Sequence, residues 1–168
     1  MSTPDFILDL RRKIGHAPLW LPGVTAIVLR SSVPEGEGIP PEVLLVRRAD
    51  TGAWTPVTGI ADPGEQPDVT ALREIAEETG LQARVERVLW VRAVGPVTYP
   101  NGDVASYMDT AVLCRPICAS AEVYPADEEN TDARWFAVDH LPEVSERFRQ
   151  TIAAALENSP TRIGLPSR

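Results

Sequence analysis

The sequence predicts an α/β fold, an α/β/α sandwich built on a mixed β-sheet. Three observations lead there. Short β-branched runs at 24–30 and 43–48 read as strands. A stretch without glycine or proline, 68–79, reads as a helix that stops at Gly80. Beyond it come three more strand-like runs, at 83–94, 104–114 and 133–138, and a helical pattern over 143–156.

Taken in order, residues 4–14 form a short amphipathic helix, with Phe6, Ile7, Leu10 and Ile14 on one face. The segment 15–23 is turn-rich and apolar, so it has to pack against something. It either laps over its own domain or crosses to a second subunit. His16 is expected to be a hydrogen-bonded structural residue. The runs 24–30 and 43–48, separated by a Pro/Gly-rich loop, suggest a central antiparallel pair. Residues 53–58 make a short strand or bend. Tyr99, Asn101 and Gly102 mark a hairpin, because Asn-Gly suits a tight primed turn. An acidic loop, 125–132, precedes the last strand, in which Trp135 is expected to join Trp90 in the core. Val144, Phe148, Ile152, Ala155 and Leu156 keep helical spacing to the end of the fold. This divides the chain into a lead-in (1–23), a domain (24–158) and a loose tail (159–168).

The chemistry concentrates in residues 59–81. Asp68 is the expected N-cap of the helix. At about 100° per residue, Val69, Leu72, Ile75, Ala76 and Thr79 fall on a core-facing side, and Glu74, Glu77 and Glu78 crowd the other. Like charges at i,i+4 repel. Their clustering reads either as a solvated acidic face or as an oxygen site for a hard cation such as Mg²⁺.

The frame around those glutamates decides between the two readings. Gly59, Glu65, Arg73, Glu74, Ile75, Glu77, Glu78, Gly80 and Leu81 occupy every fixed position of Gly-x5-Glu-x7-Arg-Glu-U-x-Glu-Glu-x-Gly-U, where U is aliphatic. Chance produces such a match on the order of 10⁻⁸ times per start position. The stretch resembles the Nudix box of the MutT-like hydrolases. Before it the chain has Pro56-Val57-Thr58, where many members have Leu-Pro-Gly.

The resemblance implies a metal-dependent pyrophosphohydrolase with the Nudix fold. Its substrate would be a nucleoside diphosphate linked to another group, of the ADP-ribose kind. Nucleoside triphosphates and diadenosine polyphosphates are the alternatives. By resemblance, Glu74, Glu77 and Glu78 hold Mg²⁺, or Mn²⁺ in its place, with Glu65 and the Gly59 carbonyl as further ligands. Arg73 fixes the loop–helix geometry. The general base is a box glutamate or Glu129, which matches the offset before Trp135 seen in mutator-type members. Pro96 and Tyr99 stand where members acting on ADP-ribose and on diadenosine polyphosphates, respectively, carry a proline and a tyrosine. Trp20, Trp54 and Tyr99 are the candidates to stack on a base. A binding module that senses a nucleotide without cleaving it is the reading from another class. Such a module would be expected to lose box carboxylates, and this chain keeps them all.

With 43% hydrophobic and 24% charged residues, the composition is that of a soluble globular chain, and 168 residues suit one core. A net charge of −8 argues against a nucleic-acid surface. Cys114 and Cys118 with two distant histidines make no zinc site. No signal peptide or long apolar run is seen. The expectation is a cytoplasmic protein without membrane contact that takes a small-molecule nucleotide, and a homodimer if the apolar run at 18–21 would otherwise be exposed.

Overall fold

A computed structural model describes residues 3–31 and 39–164. The loop between the first two strands was expected at 31–41 and lies largely outside those residues. The elements are α1 (Asp5–Ile14), β1 (Leu19–Arg30), β2 (Glu42–Arg48), β3 (Trp54–Thr55), β4 (Val57–Ile60), α2 (Pro67–Thr79), β5 (Ala83–Thr98), β6 (Val104–Pro116), β7 (Asn130–Ala137), α3 (Glu146–Leu156) and β8 (Arg162–Ile163). Strands run β3-β2-β1-β6-β5-β8, with β4 also on β1 and β7 also on β2. The β1–β6 and β5–β8 pairings are parallel and the others antiparallel, so the sheet is mixed.

Burial splits by strand face, as the two-residue period of a strand requires. Val24, Ala26 and Val28 point toward α2, against Ala71 and Ile75. Ile27 and Leu29 point toward α3, against Phe148 and Ile152. A third cluster joins Ile7 of α1 to Leu21, Ile60 and Ala105.

Several expectations need correcting. β1 begins at Leu19, inside the segment read as turn-rich, because its backbone groups pair in parallel with β6 from Leu19↔Ala105 onward. Sheet pairing here outweighs the weak strand preference of proline and glycine. Among the described residues, the antiparallel contact of β1 with β2 is only Leu29↔Val43 and Arg30↔Glu42. β2 instead pairs along its length with β7, and β1 with β6 and β4. The Asn101 turn is not of the primed kind, since no non-glycine residue among those described has positive φ. Asn101 closes the turn with its side chain, accepting the Asp103 N–H at 3.0 Å. Nor is the expected tail loose over its described residues, 159–164. β8 pairs with Trp90 and Val91, and the Trp90 indole N–H donates to the Gly164 carbonyl at 2.6 Å.

Candidate active site

The N-cap of helix α2 lies two residues earlier than expected. Gln66 is its N-cap, Pro67 takes the first turn, where a missing N–H costs nothing, and Asp68 lies inside that turn. It stops at Gly80, whose φ of +69° closes the last turn and whose N–H donates to the Ala76 carbonyl at 3.0 Å. A Cβ at Gly80 would also meet the Tyr124 ring at 2.6 Å, so glycine is required twice over.

Arg73 ties the loop to the helix. Its Nε donates to Glu65 Oε1 at 2.9 Å and its Nη2 to Glu65 Oε2 at 3.0 Å. Its Nη1 reaches Glu74 Oε1 at 2.9 Å and Glu77 Oε2 at 3.1 Å, and Nη2 also meets the Ile60 carbonyl at 3.2 Å. Glu65 further accepts from the Asp62 N–H at 3.0 Å and the Thr70 hydroxyl at 2.8 Å. With so many donors, above all Arg73, its carboxyl is pulled down to about 2. Arg73 is raised above its ordinary value, chiefly by its bond to Glu65. Glu65, expected among the metal ligands, thus has both oxygens committed to the clamp.

The acidic face lies differently from expectation. Glu74 and Glu78 are each 1% exposed, packed beside Thr70, Ala71 and Ile75, whereas Val69 is 50% exposed. Only Glu77 of the three stands in solvent. Glu74 fits because residue 59 is glycine: a Cβ there would stand 2.5 Å from Glu74 Cδ. Burial raises the Glu74 carboxyl despite the opposing pull of Arg73. Burial likewise pushes Glu78 up to about 7, with the negative charges of Glu74 and Asp127 adding to the rise and Arg48 opposing it.

The acidic loop packs along the end of α2, where the Ala126 N–H donates to the Glu78 carbonyl at 3.0 Å. Asp127 Oδ1 accepts the N–H groups of Glu129 at 3.1 Å and Asn130 at 3.2 Å, which shapes the loop. Glu129 Oε2 stands 3.4 Å from Arg48 Nη2, and the Glu129 carbonyl accepts the Ala49 N–H at 2.7 Å. The fold thus brings Glu129, Asp127, Arg48 and Glu78 into one neighbourhood. Arg48 was not anticipated, since an arginine ending a strand carries no signal by itself. Thr70, beneath Glu65, was missed for the same reason.

A cavity of about 790 Å³ opens on the α3 side of the sheet, with Gly59, Glu129 and Tyr99 in its wall. The candidate stacking residues part company there. The Tyr99 hydroxyl bonds that of Tyr107, which also lines the cavity. Trp54 packs edge-on against Phe136, ring centroids 4.9 Å apart, beside the core and outside the cavity wall. Pro96 is exposed and Trp20 is 58% exposed, and neither lines the cavity. Of the two tryptophans expected inside, Trp90 is 1% exposed, and Trp135 is half-buried under the Arg30 guanidinium, 4.2 Å away.

The donors offered by the box are carboxylate and carbonyl oxygens, the set a hard divalent cation takes. Glu74 Oε2 is buried and has no hydrogen-bond partner among the described residues, which leaves a lone pair for such an ion. Among the described residues, no three acidic, histidine or cysteine side chains stand close enough together to cage a metal. Arg73 serves Glu65, Glu74 and Glu77 as their cation.

The Nudix domain model matches residues 21–156. The chain belongs to the Nudix family. Among relatives of this Nudix protein, the NAD-capped RNA hydrolase NudC of Stutzerimonas stutzeri is 29% identical over 148 residues, covering 85% of this chain and 45% of that protein. A MutT-like protein of Streptomyces ambofaciens is 31% identical over 114 residues, 68% of this chain and 65% of that one. The chain therefore spans less than half the length of the NAD-capped RNA hydrolase. An ADP-ribose pyrophosphatase from Streptococcus suis superposes with a TM-score of 0.63 at 21% identity, over 85% of this chain and 98% of that one. A UDP-X diphosphatase gives 0.63 at 22% identity, over 97% and 76%. At these identities the two structures show a shared Nudix fold. Among the described residues no helix is long and apolar enough to cross a membrane.

Proposed function

We propose that this Nudix protein hydrolyses the pyrophosphate bond of a nucleoside diphosphate linked to another group, with ADP-ribose-like compounds as the first substrate class. The observation that carries this reading is the intact box: Glu74 seated on Gly59, Glu78 buried beside it, and Arg73 clamping Glu65 to the helix. Glu74, Glu77 and Glu78, with the Gly59 carbonyl, would hold Mg²⁺ or Mn²⁺ only after their side chains draw together around it, since among the described residues no three such groups stand close enough as they lie, and Glu65 serves the loop. Such an ion supplies charge neutralisation at the anhydride oxygens and a more acidic bound water.

The chain's own residues have separable tasks. Arg73 and Glu65 keep the Gly59–Glu65 loop against the helix. Glu129, in the cavity wall and ion-paired with Arg48, would take a proton from an attacking water. Tyr99, in the same cavity wall, would offer a ring to a base. The reaction asks the protein for little covalent chemistry, mostly placement and charge.

The test is a hydrolysis screen over ADP-ribose, NAD, NAD-capped RNA, a nucleotide sugar, a diadenosine polyphosphate and nucleoside triphosphates, with Mg²⁺, Mn²⁺ or chelator. Metal-dependent release of a nucleoside monophosphate from ADP-ribose supports the reading. Turnover confined to triphosphates or dinucleoside polyphosphates moves the substrate class. Nucleotide binding without any turnover makes the protein a sensor.

A further inference from the structure

On the α3 side of the sheet lies a charged cluster that the box does not use. Asp109 is 3% exposed and Arg92 6% exposed. The Thr25 hydroxyl donates to Asp109 Oδ1 at 2.8 Å, and Asp109 Oδ2, which has no hydrogen-bond partner among the described residues, stands 3.7 Å from Arg147 Nη1. Arg92 is spent internally, donating from Nη2 to the Thr151 hydroxyl at 2.7 Å and to the Arg147 carbonyl at 3.2 Å. Arg147 differs from both. Its guanidinium lies over the Phe148 ring at 4.1 Å, its side chain is 33% exposed, and it lines the cavity. None of its N–H groups makes a hydrogen bond among the described residues, although a guanidinium carries five.

The other cavity arginines are occupied. Arg11 donates to the Ala17 carbonyl at 2.7 Å and the Val104 carbonyl at 3.0 Å, and Arg48 pairs with Asp50 and Glu129. Arg147 is thus a planar donor fork, held from behind by Asp109 and from one face by Phe148, with its remaining edge toward the cavity. The register puts it close to the box: Asp109 bonds Thr25, Thr25 pairs with Thr58, and Thr58 adjoins Gly59. The cavity that Arg147 lines also has apolar wall, from Leu21, Ile60, Val94 and Val97. Such walls suit the faces of a base better than a phosphate, and an arginine fork suits the acceptor atoms on a base edge.

We propose that Arg147 is a specificity-determining residue that donates hydrogen bonds to acceptor atoms on the edge of the substrate's nucleobase, with Asp109 the positioning residue behind it. This rests on the nucleotide-substrate reading above, but its test does not require turnover.

The test is equilibrium binding of AMP, GMP and ribose 5-phosphate to the full chain in chelator, for wild type, Arg147→Gln, Arg147→Lys and Asp109→Asn. At least one nucleotide should bind wild type more tightly than ribose 5-phosphate. Arg147→Gln should weaken that nucleotide by roughly tenfold or more and leave ribose 5-phosphate unchanged. Arg147→Lys should keep part of the affinity, and Asp109→Asn should lower it in the same base-dependent way. An equal loss for ribose 5-phosphate would mean that Arg147 meets the phosphate, and no loss in a folded Arg147 variant would make it a structural counter-ion. Either overturns the proposal. Melting curves establish folding, and Arg147→Lys, which keeps the charge, decides the matter if Arg147→Gln does not fold. Base-dependent binding without hydrolysis would sink the catalytic reading and leave this one standing.

Discussion

Glu78 brings a carboxyl group into a place that water hardly reaches, and two measurements expose the consequence. In activity, Glu78→Gln is expected to lower turnover at least roughly a hundredfold with the fold intact, since charge at a metal-assisted site is worth several kcal/mol. Steady-state kinetics on the folded variant check this, and near-normal rates would take Glu78 out of the site. In stability, the folded pKa of about 7 lies above the ordinary 4.5, so the native state holds a proton that the unfolded chain releases. The stability from this group is complete below about pH 4.5 and is lost as pH rises through about 7. The loss is on the order of 3 kcal/mol. Glu74, raised in the same direction, adds to the slope. Glu65 acts in another window: its pKa of about 2 makes its contribution present above 4.5 and lost as pH falls toward 2. Denaturant titrations in chelator from pH 5 to pH 8 should show wild type losing stability and Glu78→Gln losing clearly less.

At the scale of the element, the contact between α2 and β4 depends on a missing side chain. Gly59→Ala would place a methyl group 2.5 Å from Glu74 Cδ, and Glu74 cannot retreat while Arg73 holds its Oε1 at 2.9 Å. The variant is expected to lose about 1–3 kcal/mol, as overpacked sites do, read as a lower melting midpoint with Glu74→Ala as a partial rescue. The same contact shows what was legible in the sequence. The helix and its stop at Gly80 could be read from spacing, and its box residues from their resemblance to the Nudix motif. Its buried face could not. Pattern reading assigns glutamate to solvent and valine to the core, and here Glu74 and Glu78 go inside while Val69 is left out. What reverses the assignment is the gap at Gly59 and the cation of Arg73, both contacts across the fold. Likewise, strand content after α2 was plain from β-branched residues, but the parallel partner of Leu19–Arg30 lies in Val104–Pro116, too far along the chain for any local pattern to name. Arg147 and Asp109 escaped notice because their relation exists only once α3 lies on the sheet.

Across the whole molecule, two further outcomes are expected. Mg²⁺ or Mn²⁺ should bind the folded chain far better than the unfolded one, in which the box carboxylates are dispersed. Linkage then gives about 2.7 kcal/mol at a hundredfold excess over Kd, a rise of several degrees in the melting midpoint. NaCl at matched ionic strength should do much less, and Glu77→Gln and Glu78→Gln should shrink the shift. Melting curves in chelator, Mg²⁺ and matched NaCl check it, and equal curves would return the acidic residues to a solvation role. The second outcome concerns self-association. Trp20 is 58% exposed and Met108 43%, on neighbouring strands β1 and β6. A homodimer burying this patch is expected in sedimentation at tens of micromolar, and Trp20→Lys should shift it toward monomer.

The short strand β8 carries one more implication. β5 runs for 16 residues along the border of the sheet, with β6 on one side. Bare peptide groups along such a border invite copies of a chain to zip together. β8 is a stopper at its middle: it takes up Trp90 and Val91, and Arg162 lies over the Trp90 ring at 5.3 Å. A chain cut before Arg162 would uncover that border, so the cost of trimming the end should appear as turbidity on storage, well before any loss in the capacity to handle a nucleotide.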